Sequence, residues 1–192
     1  MGLCGRYLSQ IFGLPLSVFL VVLLAPAVGM SATQENELLS LYNGSSSRKP
    51  FVAFLARDDT LTGHAFVAVG VELDNGLLFY EGLFGFYPAG GGKKGILKAL
   101  FKADGIIDYQ FADMSASFEF RIPISTAQRD EAISVLEKWK SEEPKYNLFA
   151  FGGNNCSVLV KEVAQAIGLK IPADNPGLTF PEAYVRKLSE RN

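Results

Sequence analysis

The chain has 192 residues, with 18 Lys and Arg against 20 Asp and Glu and a formal net charge of -2. That length suits one globular domain with a sizeable core, and the near-balanced charge excludes a partner held by bulk electrostatics, such as nucleic acid or an anionic membrane. The 12% aromatic content supplies core and cleft-lining bulk and does not by itself indicate a ligand.

Within residues 1–32 the only charged side chain is Arg6, followed by an apolar run from Ile11 to Leu24 that Pro15 interrupts. Ala25-Pro26-Ala27 and the small residues Gly29, Ser31 and Ala32 come next. A basic start, an apolar middle and a small-residue end describe a secretory signal peptide. The run is short for a membrane span, so the expected product is periplasmic or secreted, with no stable span after cleavage. Cleavage removes Cys4 and leaves Cys156 and His64 as the only cysteine and histidine. No intramolecular disulfide is then possible, and a lone exported thiol is either a buried hydrophobe or a chemical group.

Residues 33–49 are polar and include Asn43-Gly44-Ser45-Ser46-Ser47, a linker with room for one helical turn between Glu35 and Leu41. The domain proper is expected over 50–192. PFVAFLAR, GHAFVAVGVE and LLFYEGLFGFY read as strands, and Asn75-Gly76 between the last two is a hairpin signal. AGGGKKG after Pro88 is a loop. It fails as a phosphate loop, because Lys93 is followed by Lys94 and not by Ser or Thr. An amphipathic stretch from Ile96 to Lys102 carries a basic cluster with Lys93, Lys94 and Lys98, and SFEFRIPI over 117–124 is the next strand. Ser125-Thr126-Ala127-Gln128 forms a capping box that opens a helix to about Ser141, with Ala132, Val135, Leu136 and Trp139 on its buried face. YNLFAFGG is extended or looped. A second helix opens at Asn154-Asn155-Cys156 and closes near Ile167-Gly168. Thr179-Phe180-Pro181-Glu182 has the pattern of another capping box, opening a last helix to Leu188. The class is α+β, a small antiparallel sheet packed with helices.

Cys156 falls at the first turn of its helix, with Asn154 or Asn155 as cap. The N–H groups and dipole there favour negative charge, which lowers a thiol pKa and can hold an oxyanion. If Cys156 is a nucleophile, His64 is its base by elimination. A third group should orient the ring. A two-residue turn at Asp74-Asn75 or Asn75-Gly76 places Glu81 on the same side as His64, although an edge-strand glutamate in solvent has the same pattern. One histidine and one cysteine without ligand spacing do not make a metal centre, and no cofactor is expected.

The run YNLFAFGGNNCSVLVKEVAQAIGLKIP, residues 146–172, resembles the nucleophile segment of NlpC-like cell-wall peptidases. GHAFVAVG with His64 precedes it, and LLFYEG with Glu81 follows that strand. This order resembles the circularly permuted branch of YiiX-like and lecithin-retinol-acyltransferase-like proteins. The resemblance covers roughly 50–90 and 145–190. It implies a papain-like core with Cys156 as nucleophile, His64 as base and Glu81 orienting the ring. Val158 stands where many YiiX-like proteins carry an acid, and the second histidine of the lecithin-retinol type is absent.

The expected chemistry is amide hydrolysis through a thioacyl intermediate. The N–H of Cys156, with Asn155 or Tyr146 as a further donor and Asn154 beside them, would hold the oxyanion. Peptidoglycan stem peptides lead as substrate, acyl-lipid or N-acyl amides are the alternative, and a non-catalytic secreted binding domain is a third reading. Phe84, Phe86 and Tyr87 are candidates to line the cleft.

Overall fold

The computed structural model describes residues 40–44, 47–58, 62–90, 100, 102–108, 115–149 and 153–192. The expected signal segment, most of the linker and Lys93, Lys94 and Lys98 of the basic cluster lie outside them. The class is α+β: a six-stranded antiparallel sheet in the order β5-β1-β2-β3-β4-β6, with helices packed on it. The strands are β1 (Arg48–Arg57), β2 (His64–Leu73), β3 (Leu78–Pro88), β4 (Ala103–Asp108), β5 (Phe118–Pro123) and β6 (Lys145–Tyr146). The helices are α1 (Thr126–Glu142), α2 (Cys156–Ala166) and α3 (Pro181–Glu190). Among the described residues no helix is long and apolar enough to cross a membrane.

The chain divides into two compact units. The smaller comprises 1–49 with 70–82, the far ends of β2 and β3. Its described core is Tyr42, Val71, Leu73 and Phe79, with the Tyr42 and Phe79 rings tilted at 5.4 Å and the Arg48 guanidinium over Tyr42. A helical turn over 40–44 presents Tyr42, at the end of the segment expected to be linker.

The larger unit, 50–69 with 83–192, holds the main core. Val52, Phe54 and Ala56 of β1 and Ala65, Val67 and Val69 of β2 face Leu136 and Trp139 of α1 and Leu159, Val160 and Val163 of α2. The side chains alternate along each strand, so one set packs under the helices and the intervening set faces the other way. β5 pairs antiparallel with β1 in a register that matches Phe54 with Phe120. Burying each of the large aliphatic or aromatic side chains contributes about 1.5–3 kcal/mol.

Helix α1 starts where its sequence signal lies. The Ser125 hydroxyl accepts from the Gln128 N–H, and the Gln128 side chain accepts from the Ser125 N–H. Ala132, Leu136 and Trp139 are buried as expected, while Val135 is half-buried. Glu143 leaves the helix in a left-handed conformation, φ 44°, one residue before Pro144.

The expected capping box of α3 does not form. Phe180 is the cap residue and gives no side-chain hydrogen bond, while the Thr179 hydroxyl donates to the Asn175 carbonyl. Glu182 turns outward, accepting from Ser117 and from Arg186. Pro181 takes the first helical position, where its fixed φ suits the helix and its missing N–H costs nothing, so the cap falls on Phe180 and not on Thr179. Strand β4, ADGIID, was not expected. Phe86 is not a cleft residue but part of the core, edge-on to Trp139 at 4.8 Å and tilted against Tyr146 at 5.2 Å.

Candidate functional site

Cys156 is the first residue of α2. Asn155 has an extended backbone, φ -141° and ψ -176°, and caps the helix. Its Oδ1 accepts from the Val158 N–H at 3.0 Å, and its Nδ2 donates to the Leu148 carbonyl at 3.3 Å. The carboxamide therefore ties the YNLF segment to the helix start, and both its ends are engaged in structure. Asn154 serves through its backbone: it bridges to Tyr146, and its carbonyl accepts from the Asn147 N–H at 2.7 Å.

The Cys156 thiol is free and buried. The Ala65 N–H, the hydroxyls of Ser157 and Tyr146, and the Ser157 N–H surround the sulfur and favour its anion, but burial outweighs them and pushes the thiol pKa up. The expectation of a lowered thiol pKa at the helix start is thus met by the donors and overridden by desolvation. Ser157 lies beside the sulfur through proximity alone, since its buried Oγ completes no hydrogen bond of good geometry. Burial and the neighbouring sulfur hold the Tyr146 phenol well above its ordinary range, so it stays protonated as a donor toward the sulfur.

His64 opens β2 immediately after Gly63, whose φ of 63° is left-handed. Its ring stacks on Tyr87, with centroids 4.2 Å apart and planes at 28°. Phe66 lies at 6.0 Å on the same face. Gly85 leaves room for the pair: a Cβ there would stand 2.8 Å from His64 Nε2 and overlap the Tyr87 ring. Among the described residues the buried His64 Nε2 has no hydrogen-bond partner. Burial, and then the charge of Arg57, push the imidazole pKa down to about 3.

The two groups face away from each other across β2. Ala65 shares the helix-covered core with Cys156, and strand alternation turns its neighbour His64 to the opposite face, with Phe66. Among the described residues no hydrogen bond joins His64 to Cys156. The sulfur instead meets the backbone one residue beyond the histidine.

Glu81 takes the Tyr42 hydroxyl at 3.4 Å within the smaller unit. The parity argument for it rested on a two-residue turn, and a three-residue turn forms instead. Leu73 N–H donates to the Leu77 carbonyl, Gly76 N–H donates to the Leu73 carbonyl, and Gly76 has a φ of 81°. This is a tight turn closed by a left-handed bulge residue, and beside it Phe79 packs with Val71 and Leu73.

A cleft of ≈ 440 Å³ opens beside the start of β2, lined by Arg57, Asp58 and Gly63 and by Phe180, Pro181, Glu182 and Arg186. Neither His64 nor Cys156 lines it, so the void and the candidate chemistry do not coincide. Sequence reasoning gave no role to Ala65, Ser157 or Gly85, and took Tyr87 only as a cleft-lining residue, not as the ring on which His64 stacks. Only Gly85 carried a signal, since a glycine inside a strand pattern marks a close approach.

Compared with family models, with curated proteins and with solved structures, the chain finds no match in any of the three.

Proposed function

We propose that the chain is a thiol hydrolase of amide bonds, on a permuted papain-like core, with Cys156 as nucleophile and His64 as its base. The observation that carries this reading is the placement of Cys156 at the first position of α2 with the Ala65 N–H, the Ser157 N–H and the Tyr146 hydroxyl around its sulfur. In this mechanism His64 takes the thiol proton and the sulfur adds to the amide carbonyl. The oxyanion that forms is held by first-turn N–H groups of α2, and collapse breaks the C–N bond as His64 returns the proton to the leaving amine. Water then hydrolyses the thioester. The reaction requires the imidazole to reach the sulfur. Peptidoglycan stem peptides are the leading substrate, and N-acyl amides undergo the same chemistry.

A second reading, a secreted binding domain of the same fold, draws on the separation of His64 from Cys156 across β2. The two are distinguished by incubating the chain with stem peptides and with N-acyl amides, following amine release and the mass of the protein. Hydrolysis accompanied by an acyl adduct on Cys156, and lost in both Cys156→Ala and His64→Ala, is the expected result. Binding without turnover in either substrate class overturns the enzyme reading in favour of the second.

A further inference from the structure

Four observations meet at the start of β2. The His64 ring stacks on Tyr87. Gly85, with no side chain, leaves the gap that the two rings fill. The ring lies on the face away from Cys156, whose sulfur meets Ala65 instead. The buried Nε2 has no hydrogen-bond partner there among the described residues, so no hydrogen bond to that nitrogen rewards this position. A buried ring nitrogen without a partner is costly, and such a group in a folded protein calls for a reason such as stored strain or a catalytic role.

We infer that Tyr87 and Gly85 form a seat that keeps His64 away from Cys156, so that the site is latent until the imidazole leaves the seat. This rests on the thiol hydrolase reading and adds its control. In the seated state the sulfur is buried and lacks a base, and an exported enzyme with a single unpaired thiol is protected from adventitious electrophiles. Release needs the backbone at the first residue of β2 to turn together with its side chain, because the strand directs Cβ to the face away from the sulfur. Gly63, with its left-handed backbone, and the cleft-lining Arg57 flank that residue. The charged group that faces the ring is Arg57, and repulsion from it adds to burial in keeping the seated imidazole neutral.

The test uses the full chain carrying Cys4→Ser, which leaves Cys156 as its one thiol and His64 as its one histidine. Iodoacetamide alkylation at pH 7 should be slow in wild type and unchanged by His64→Ala. Tyr87→Ala should accelerate it by about a hundred-fold, the low end of what a positioned base contributes, and adding His64→Ala should abolish the gain. Tyr87→Phe keeps the stack and should behave as wild type. The single histidine Cε1–H resonance should lose its upfield ring-current shift in Tyr87→Ala and keep it in Tyr87→Phe. Gly85→Ala displaces the ring from below and gives an independent route to the same His64-dependent gain if Tyr87→Ala does not fold. The seat is overturned if wild-type alkylation already depends on His64, a result that leaves the hydrolase reading standing. It is also overturned if both variants shift the resonance without changing the alkylation rate. Failure of the hydrolase reading is separate: it is read from the amide substrates and not from alkylation, and it is the wild-type chain binding them without turnover.

Discussion

The sulfur of Cys156 meets the backbone N–H of Ala65, the residue that follows His64 on β2. Successive strand residues point to opposite faces, so the cysteine on α2 meets β2 one residue from the histidine while the histidine side chain is directed away from it. Donors around the sulfur and a desolvated imidazole are both present, and β2 itself is what separates them. The stability and reactivity of the protein should carry this separation in measurable form.

His64 should make the protein acid-labile before its carboxylates titrate. Its folded pKa of about 3 lies below the unfolded value near 6.5. Between those values the unfolded chain binds a proton that the folded chain refuses, so stability falls as pH drops through this window and levels off below it. From about pH 6.5 to 5 the loss is about 1.6 kcal/mol. Urea unfolding at both pH values should show it in wild type and not in His64→Phe, since no other histidine is present. An equal loss in His64→Phe would place the effect elsewhere.

Gly85→Ala should destabilise, against the usual gain from replacing a strand glycine. The new Cβ would stand 2.8 Å from His64 Nε2 and overlap Tyr87, and both rings are buried. Overpacking of this kind costs about 1–3 kcal/mol. Thermal unfolding checks the sign. Gly85→Ala combined with Tyr87→Ala should recover part of the loss, because the second change removes one of the two obstructing rings.

The legible parts of the fold were those set by neighbours in sequence. The Ser125–Gln128 box, an asparagine cap (Asn154 or Asn155 by sequence, Asn155 in the fold) and the stripe of Leu159, Val160 and Val163 depend on spacings of three and four residues, and all three form. The failures turned on a competitor from outside the local window or on a single residue of register. Glu182 matches the last position of a capping box but finds Ser117 and Arg186 instead. Asn75-Gly76 marked the hairpin correctly, yet the pair does not say whether two or three residues form its turn, and three do. Strand β4 alternates weakly, and its antiparallel pairing with β3, Phe86 opposite Ile107, joins segments with no local signal between them. The site was legible as residue types, and its assembly was not: elimination can pair the only histidine with the cysteine but cannot say to which face a strand residue points.

Asn155→Ala should cost about 1 kcal/mol, the usual value of a side-chain cap, and should also free the Leu148 carbonyl from its donor. Asn155→Ser restores the cap and not the tie to Leu148. Hydrogen exchange separates the two roles. Both variants should lose protection near Leu148, and only Asn155→Ala should lose it at Val158, whose N–H the cap holds at 3.0 Å.

Tyr146→Phe should make Cys156 harder to ionise. The phenol is held protonated by burial and by the sulfur, so its hydroxyl acts on the sulfur as a donor and stabilises the thiolate. Removing it leaves the Ala65 and Ser157 N–H groups against the desolvation that already raises the thiol. The pKa therefore moves further up, and the alkylation midpoint on a Cys4→Ser background moves to higher pH. The ring survives the substitution and still packs against Phe86, so the unfolding midpoint should change by less than about 1.5 kcal/mol, the net value of one hydrogen bond. A downward shift of the midpoint would mean that the hydroxyl accepts from the thiol and stabilises its neutral form, which would remove Tyr146 from the donors around the nucleophile.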